Sequence, residues 1–284
     1  MLHEIAPHKF HIEYSQDVPK EEDFFILCKG NKVYVAWEEG KEIEVPLIND
    51  LQVSIPSEHF RFLCKIDEKA IFTVDNSFVD DIEELLPKRY KEVLMWNLRK
   101  EKPQYLSFSV MIANRINSFY VENCFCGKCG RRMVPDKKER AMLCPDCGNM
   151  VFPKIPPSVI VLIRNGERTL LTRYQASHNI YRNYALVAGY VESGETPEEA
   201  VAREVMEEVG VKVKNITYFA SQPWPISGAL LLGYVCDLDG DDTIKRDDGE
   251  LEEALWMERK DLPDRSQDVS LTSAMIEAFR LGRV

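Results

Sequence analysis

No run of apolar residues in this chain reaches the length of a helical membrane span. The opening residues, MLHEIAPHKF, lack the basic stretch and apolar core of a signal peptide. A reducing, cytoplasmic setting is therefore expected, and the eight cysteines read as metal ligands or buried thiols before disulfides. Positive charge is also in short supply. The 36 Lys and Arg face 47 Asp and Glu, a net charge of −11. That balance argues against nucleic-acid binding driven by bulk electrostatics. There is no internal repeat, which excludes a solenoid, and no low-complexity linker. What remains is ordinary for a globular protein: 284 residues, 45 % hydrophobic and 29 % charged, enough for about two domains.

The densest chemistry lies in Gly189–Val211, GYVESGETPEEAVAREVMEEVGV. Thr196 is placed to cap a helix, Pro197 suits its first position, and Glu199 completes a capping box. Gly210 stands where the helix should stop. The spacing predicts a helix over 197–209 with Val201, Val205 and Val209 as its apolar stripe. Glu204 and Glu208 share another face, with Glu207 beside them. Like charges so placed repel by a few tenths of a kcal/mol per pair, roughly. A hard divalent cation relieves that repulsion, because it takes oxygen ligands and bridges carboxylates to phosphates. A solvated acidic face is the bland alternative for a bare E-x-x-E-E. Arg203 is expected to pair with a carboxylate of the segment, a fixed geometry that suits its planar fork.

Cys126-x-x-Cys129 and Cys144-x-x-Cys147 are fourteen residues apart. Two such knuckles read as a four-thiolate zinc ribbon. Cys124 lies two residues before the first ligand, but the spacing favours Cys126. A closed four-cysteine site has no open position, so its zinc is structural. Cys28, Cys64 and Cys236 stand in apolar, strand-like contexts and are expected to be core thiols. Residues 124–153 carry a net charge of +3, while the segments on either side are each −7. Arg131, Arg132, Lys137, Lys138 and Arg140 either draw an anionic substrate or solvate a ribbon with little core; the second is the simpler reading.

Along the chain, Phe24–Cys28, Lys32–Trp37 and Lys41–Leu47 read as a β-meander, and Phe60–Ile66 with Ala70–Val74 as a hairpin. A helix is expected from Asp80 to Lys100, stopped by Pro103. Phe108, Ile112, Ile116 and Phe119 mark one face of a second helix. From Pro156 on, strands are expected at Ser158–Arg164, Thr169–Tyr174, Tyr184–Val187, Ile216–Ala220, Ala229–Cys236 and Glu253–Trp256, with a closing helix at Ser270–Leu281. The expected division is an N-terminal α+β domain at 1–121, the ribbon at 122–153 and an α/β catalytic domain at 154–284. Ser221-Gln222-Pro223-Trp224-Pro225 places an indole between two prolines, either a rigid platform for a planar base or a packed loop aromatic. His178 reads as a solvated loop histidine before a phosphate contact.

The pattern G-x5-E-x7-R-E-U-x-E-E-x-G-U (U, bulky aliphatic), filled by Gly189, Glu195, Arg203, Glu204, Val205, Glu207, Glu208, Gly210 and Val211, resembles the signature of the Nudix hydrolases. With the ribbon and the S-Q-P-W-P sequence, the chain resembles the NADH pyrophosphatase branch of that family. The resemblance covers residues ~80–284 well and the first ~80 weakly. It implies an α/β/α sandwich, a homodimer, and hydrolysis of NADH or NAD+ to AMP and nicotinamide mononucleotide. Carried over, the ligands of a catalytic Mg2+ or Mn2+ are Glu204, Glu208 and Glu250. Substrate contacts fall on Glu139, Phe152, Tyr190, Gln222 to Ala229 (Trp224 among them) and Thr272. Glu207 or a neighbour is the proton acceptor. The chain departs from the family at Ile226–Ala229, where W-P-F-P-x-S is usual, and at Phe152, where a tyrosine is usual. Three other functions compete: removal of NAD caps from RNA 5′ ends, cleavage of ADP-ribose or another dinucleotide, and a non-catalytic binding module built on the ribbon.

Overall fold

The computed structural model describes residues 1–74, 85–175 and 183–284. The chain divides into two compact units, Leu2–Lys154 and Ile155–Val284 together with Met1. No described helix is long and apolar enough to cross a membrane.

In the second unit, β1 (Pro157–Asn165) and β2 (Arg168–Tyr174) form a hairpin across Gly166, whose φ is +60°. Next come β3 (Val187–Tyr190), α1 (Pro197–Val209), β4 (Val213–Trp224), β5 (Ala229–Leu238), β6 (Leu251–Glu258) and α2 (Leu271–Arg280). The sheet runs β4-β5-β1-β2-β6, with β3 also paired to β1. The β1–β5 pair is parallel and the other ladders are antiparallel.

Strand alternation divides β1 between two cores. Val159, Val161 and Ile163 face Val201, Val205 and Val209 of α1. Ile160 and Leu162 face Leu271, Met275, Ile276 and Phe279 of α2. This is a helix–sheet–helix sandwich. Close approach of α2 requires Gly233, where an added Cβ would lie 2.8 Å from Met275 Sδ.

The expected helix over 197–209 is found with its ends as read. Thr196 Oγ1 accepts the Glu199 N–H at 3.2 Å, and Glu199 Oε2 accepts the Thr196 N–H at 2.8 Å. Gly210 closes the helix at φ +70°. The strand expected at 184–187 begins three residues later, leaving Ala185 as an isolated bridge to Thr172. The S-Q-P-W sequence is not a loop but the end of β4. An edge strand accommodates Pro223, whose missing N–H removes no ladder bond that an inner strand would need.

In the first unit, the hairpin is present as Phe60–Ile66 and Lys69–Val74. Helix Gln104–Glu122 buries Phe108, Ile116 and Phe119. Two expectations fail. Lys41–Leu47 makes only isolated bridges, Ala36 with Glu44 and Phe24 with Leu47. The helix expected over 80–100 is not seen where the chain is described. Lys91–Leu94 is a strand paired with Lys32–Val35, followed by one helical turn at Met95–Leu98. Pro87 breaks the helical pattern, and Val93 is buried by pairing with Val33.

Candidate metal-binding carboxylate site

The site is assembled around α1. Glu208 is 3 % exposed. Its Oε1 accepts the Ala188 N–H of β3 at 3.3 Å, and its Oε2 has no partner among the described residues. Burial pushes its carboxyl up to about 8 against the pull of that N–H, and Glu204, Glu250 and Asp247 push the same way. Glu204 is also raised, by burial first and despite its Arg203 partner. Leaving a buried carboxylate oxygen unpaired costs about 1–3 kcal/mol or more. A divalent cation satisfies such a group and removes the mutual repulsion.

Arg203 organises the rest. Its Nε and Nη2 donate to Glu195 at 2.8 and 2.9 Å. Nη1 reaches Glu204 at 2.7 Å and Glu207 at 3.1 Å, and Nη2 also reaches the Tyr190 carbonyl at 2.9 Å. This pairing holds Glu195 down at about 2. One guanidinium thus ties β3, the loop before α1 and two α1 glutamates together.

The glycine ahead of the loop has a steric reason. A Cβ on Gly189 would stand 1.9 Å from Glu204 Cδ. Only a bare backbone leaves room for that carboxylate.

Glu250 is brought in from further along the chain. The segment after β5 is pinned to the end of α1 by Lys245 N–H to Val209 O and Asp247 N–H to Glu208 O, both 2.9 Å. A Cβ on Gly210 would meet Lys245 Cβ at 2.6 Å, so this segment also depends on a glycine. The Glu250 carbonyl then accepts the Gln175 N–H at 3.0 Å.

Tyr174, at the end of β2 opposite Leu251 where β6 bulges at Glu252, completes the cluster. Burial pushes its hydroxyl far up, and Glu208, Glu250 and Glu204 add to it. Sequence reasoning missed Tyr174, since one tyrosine at a strand end carries no spacing signal. His178 lies outside the described residues.

The other expected substrate residues form two further groups. Gln222, Trp224, Ala229 and Thr272 come together at the end of β4, the start of β5 and the start of α2. Trp224 pairs with Ala229 across the hairpin. Gln222 is fully buried and both ends of its amide are occupied: Nε2 donates to Val269 O at 2.8 Å, and Oε1 accepts the Leu271 N–H at 2.7 Å. In the structure its amide is thus fully engaged within the protein. Tyr190 is 50 % exposed at the end of β3.

Glu139 and Phe152 lie in the first unit with the cysteines. Phe152 is 49 % exposed, and the Glu139 N–H bonds Asp136 Oδ2 at 2.9 Å. The sulfurs of Cys126, Cys129, Cys144 and Cys147 all lie within 4.8 Å of one another. The pairs Cys126–Cys147 and Cys129–Cys144 are at 3.7 and 3.5 Å. Zinc–sulfur bonds of about 2.3 Å in a tetrahedron need separations near these. Each knuckle turns at a glycine with positive φ, Gly130 at +72° and Gly148 at +70°. Burial raises the Cys126 thiol, but the amides of Cys129 and Lys128 outweigh it and hold it at about 6. The donors fit zinc. Cys28, Cys64 and Cys236 are buried core thiols, as expected.

A glutamate cluster around the buried Glu208, closed by an arginine fork on a helix–sheet–helix sandwich, is the setting of a Nudix domain, and the NUDIX domain profile matches residues 154–278. The segment before it, 123–152, matches the NADH pyrophosphatase zinc ribbon domain. The chain thus carries a Nudix domain behind a zinc ribbon of the NADH pyrophosphatase type. It is 42 % identical over 165 residues to the NAD-capped RNA hydrolase NudC of Pectobacterium atrosepticum, covering 57 % of this chain and 62 % of that protein. The protein of the same name from Escherichia coli O9:H4 is 45 % identical over 151 residues, 52 % of this chain and 57 % of its own. The match thus spans about three fifths of these relatives. Among solved structures, a NUDIX hydrolase from Nitrosomonas europaea superposes with a TM-score of 0.49 at 21 % identity, over 56 % of this chain and 91 % of that one.

Proposed function

We propose that this protein hydrolyses the diphosphate of NADH or NAD+, giving AMP and nicotinamide mononucleotide. The observation that carries the reading is the buried, unpartnered Glu208 Oε2 beside Glu204 and Glu250. Those three glutamates would hold Mg2+ or Mn2+. Such an ion neutralises charge on the diphosphate and lowers the pKa of a bound water. Arg203 keeps Glu204 and Glu207 in register and clamps the loop through Glu195. Glu207, whose side chain is 61 % exposed, is open to water, and it takes the proton of the attacking water. General-base help of that kind is worth roughly 100- to 10,000-fold. Trp224 and Tyr190 offer rings to the bases.

The four cysteines hold a structural zinc, within a three-part organisation of 1–121, 122–153 and 154–284. We read the protein as a cytoplasmic homodimer. The names of its relatives favour a second substrate, NAD-capped RNA, in which the same bond is cleaved. The basic ribbon suits that substrate, whereas the net charge of −11 does not. One assay tests both: product analysis with Mg2+ or Mn2+ on NADH, NAD+, ADP-ribose and NAD-capped RNA, at two salt concentrations. Metal-dependent release of AMP from NADH is the expected result. Hydrolysis of ADP-ribose alone would reassign the substrate. No hydrolysis of any of the four would return the chain to a binding module.

A further inference from the structure

We infer that Tyr174 is a further catalytic residue: its hydroxyl donates a hydrogen bond to the diphosphate held at the glutamate cluster. The inference rests on the diphosphate reading above. Strand alternation settles which way Tyr174 faces. Leu170 packs into the core on the α1 side of the sheet, and Leu171 into the core on the α2 side. Thr172 and Tyr174 therefore face α1, and the Tyr174 side chain packs against that α1-side core. It stands opposite Leu251, a buried member of the same core. The next residue, Gln175, donates its N–H to Glu250 O at 3.0 Å. From there the chain leads back to α1: Leu251 N–H bonds Asp247 O at 3.0 Å, and Asp247 N–H bonds Glu208 O at 2.9 Å. This run of bonds ties the end of β2 to Glu250 and to the last turn of α1.

After burial, the influences on the Tyr174 hydroxyl are Glu208, Glu250 and Glu204, the three proposed metal ligands. No hydrogen bond ties it to a described residue. The residue is only partly buried, so a ligand can reach it. The other donors of the cluster are spent. Arg203 gives Nε and Nη2 to Glu195, Nη1 to Glu204 and Glu207, and Nη2 also to Tyr190 O. The Ala188 N–H is taken by Glu208 Oε1. A diphosphate brings only acceptor oxygens into a site already crowded with carboxylates. A tyrosine keeps its proton at neutral pH and so arrives as a donor. A fixed donor aimed at a phosphoryl oxygen stabilises the charge that develops there in the transition state.

The test compares Tyr174→Phe with the wild type in three readings. They are steady-state kinetics on NADH with Mg2+, calorimetric binding of methylenediphosphonate (a diphosphate that resists hydrolysis) with Mg2+, and Mn2+ binding without diphosphate by electron paramagnetic resonance. Phenylalanine keeps the ring, so melting and Mn2+ affinity should not change. Loss of a hydrogen bond to a charged group should lower kcat/KM roughly 10- to 100-fold and methylenediphosphonate affinity about tenfold. Tyr174→Met also lacks the donor and carries the same expectations if the phenylalanine variant does not fold. Unchanged kcat/KM and unchanged methylenediphosphonate affinity would overturn the inference. A fall in kcat alone, with that affinity unchanged, would move the hydroxyl off the bound diphosphate and overturn it too. So would weakened Mn2+ binding in the substrate-free variant, because the hydroxyl would then serve the metal ligands. Binding needs no turnover. A wild-type protein that binds methylenediphosphonate but cleaves neither NADH nor NAD+ would overturn the proposed substrate, while the affinities still decide the Tyr174 contact. A wild-type protein that binds no diphosphate would overturn both.

Discussion

The cysteine ribbon and the glutamate cluster, one a four-thiolate group and the other the proposed site of a divalent cation, are assembled by opposite means. In the ribbon, each pair of ligands sits in its own tight turn, closed by bonds such as Gly130 N–H to Cys126 O at 2.8 Å and Gly148 N–H to Cys144 O at 3.0 Å. Four sulfurs then converge with no position left open. In the cluster, Glu204, Glu207 and Glu208 share one helix, but that helix alone does not make the site. Their surroundings come from β3, the loop before α1 and the segment around Glu250. The ribbon is a local site that holds its fold together. The cluster is a nonlocal site that the fold holds together, and it keeps a buried carboxylate oxygen unpaired. Removing the cation should therefore unfold the first and only relax the second.

The sharpest test of that contrast is Glu208→Gln. Turnover should be abolished, while the protein stays folded, because glutamine has the shape of the protonated glutamate. Wild-type-like activity in the variant would end the metal assignment. A pH series adds a second reading. The folded carboxyl titrates near about 8, against an ordinary value of 4.5. The unfolded chain therefore loses its proton first. Zinc-loaded, magnesium-free protein should lose stability as pH rises from about 4.5 to about 8, and the variant should show a flatter slope. Equal slopes in thermal melts would contradict the burial argument. On the ribbon side, Cys144→Ser should fail in the opposite way. Losing even about 4 kcal/mol of ligation energy lowers melting by about 10 °C in a unit of this size. Unchanged melting and unchanged zinc content would remove the structural role.

A smaller effect is expected at Gly189→Ala. The new Cβ would overlap the Glu204 carboxylate, the far end of a flexible side chain. The fold can yield there, but Glu204 must leave its place beside Arg203 Nη1. A misplacement of about 1 Å in a reacting site can lower turnover about 100-fold. Melting should shift little. A fully active Gly189→Ala enzyme would show that Glu204 does not need this position.

Legibility in the sequence follows the same division. The helix over 197–209 was readable because Thr196, Pro197, Glu199 and Gly210 are local signals with one geometry each, and the cysteine knuckles for the same reason. Residues 91–94 misled because Leu85, Leu86, Tyr90, Val93, Met95 and Leu98 are all apolar and buried, and their spacing does not show that Val93 pairs with Val33 across the chain. Pro87 was the overlooked warning. Glu250 was legible only through resemblance, since what places it is a backbone bond from Asp247 to Glu208. Gln222 was legible as part of a motif, but its bonds to Val269 and Leu271 were not, because partners so far along the chain leave no spacing signal.

The finest test compares the two caps of α1. Thr196→Ala removes the acceptor for the Glu199 N–H and should cost about 1 kcal/mol. Thr196 stands at the far end of the helix from the Glu250 segment, so turnover should hold steady. Gly210→Ala should cost a similar amount, because it forces a side chain into φ +70°. It also drives a Cβ against Lys245, and Lys245 begins the segment that carries Glu250 to the cluster. Turnover should therefore fall severalfold in Gly210→Ala alone, with a higher Mg2+ concentration needed for half-maximal rate. The two variants match in stability but differ in which end of the helix they disturb. If both lost activity equally, general loosening of α1 would explain the loss, and the placement of Glu250 by the 245–250 segment would carry no separate weight.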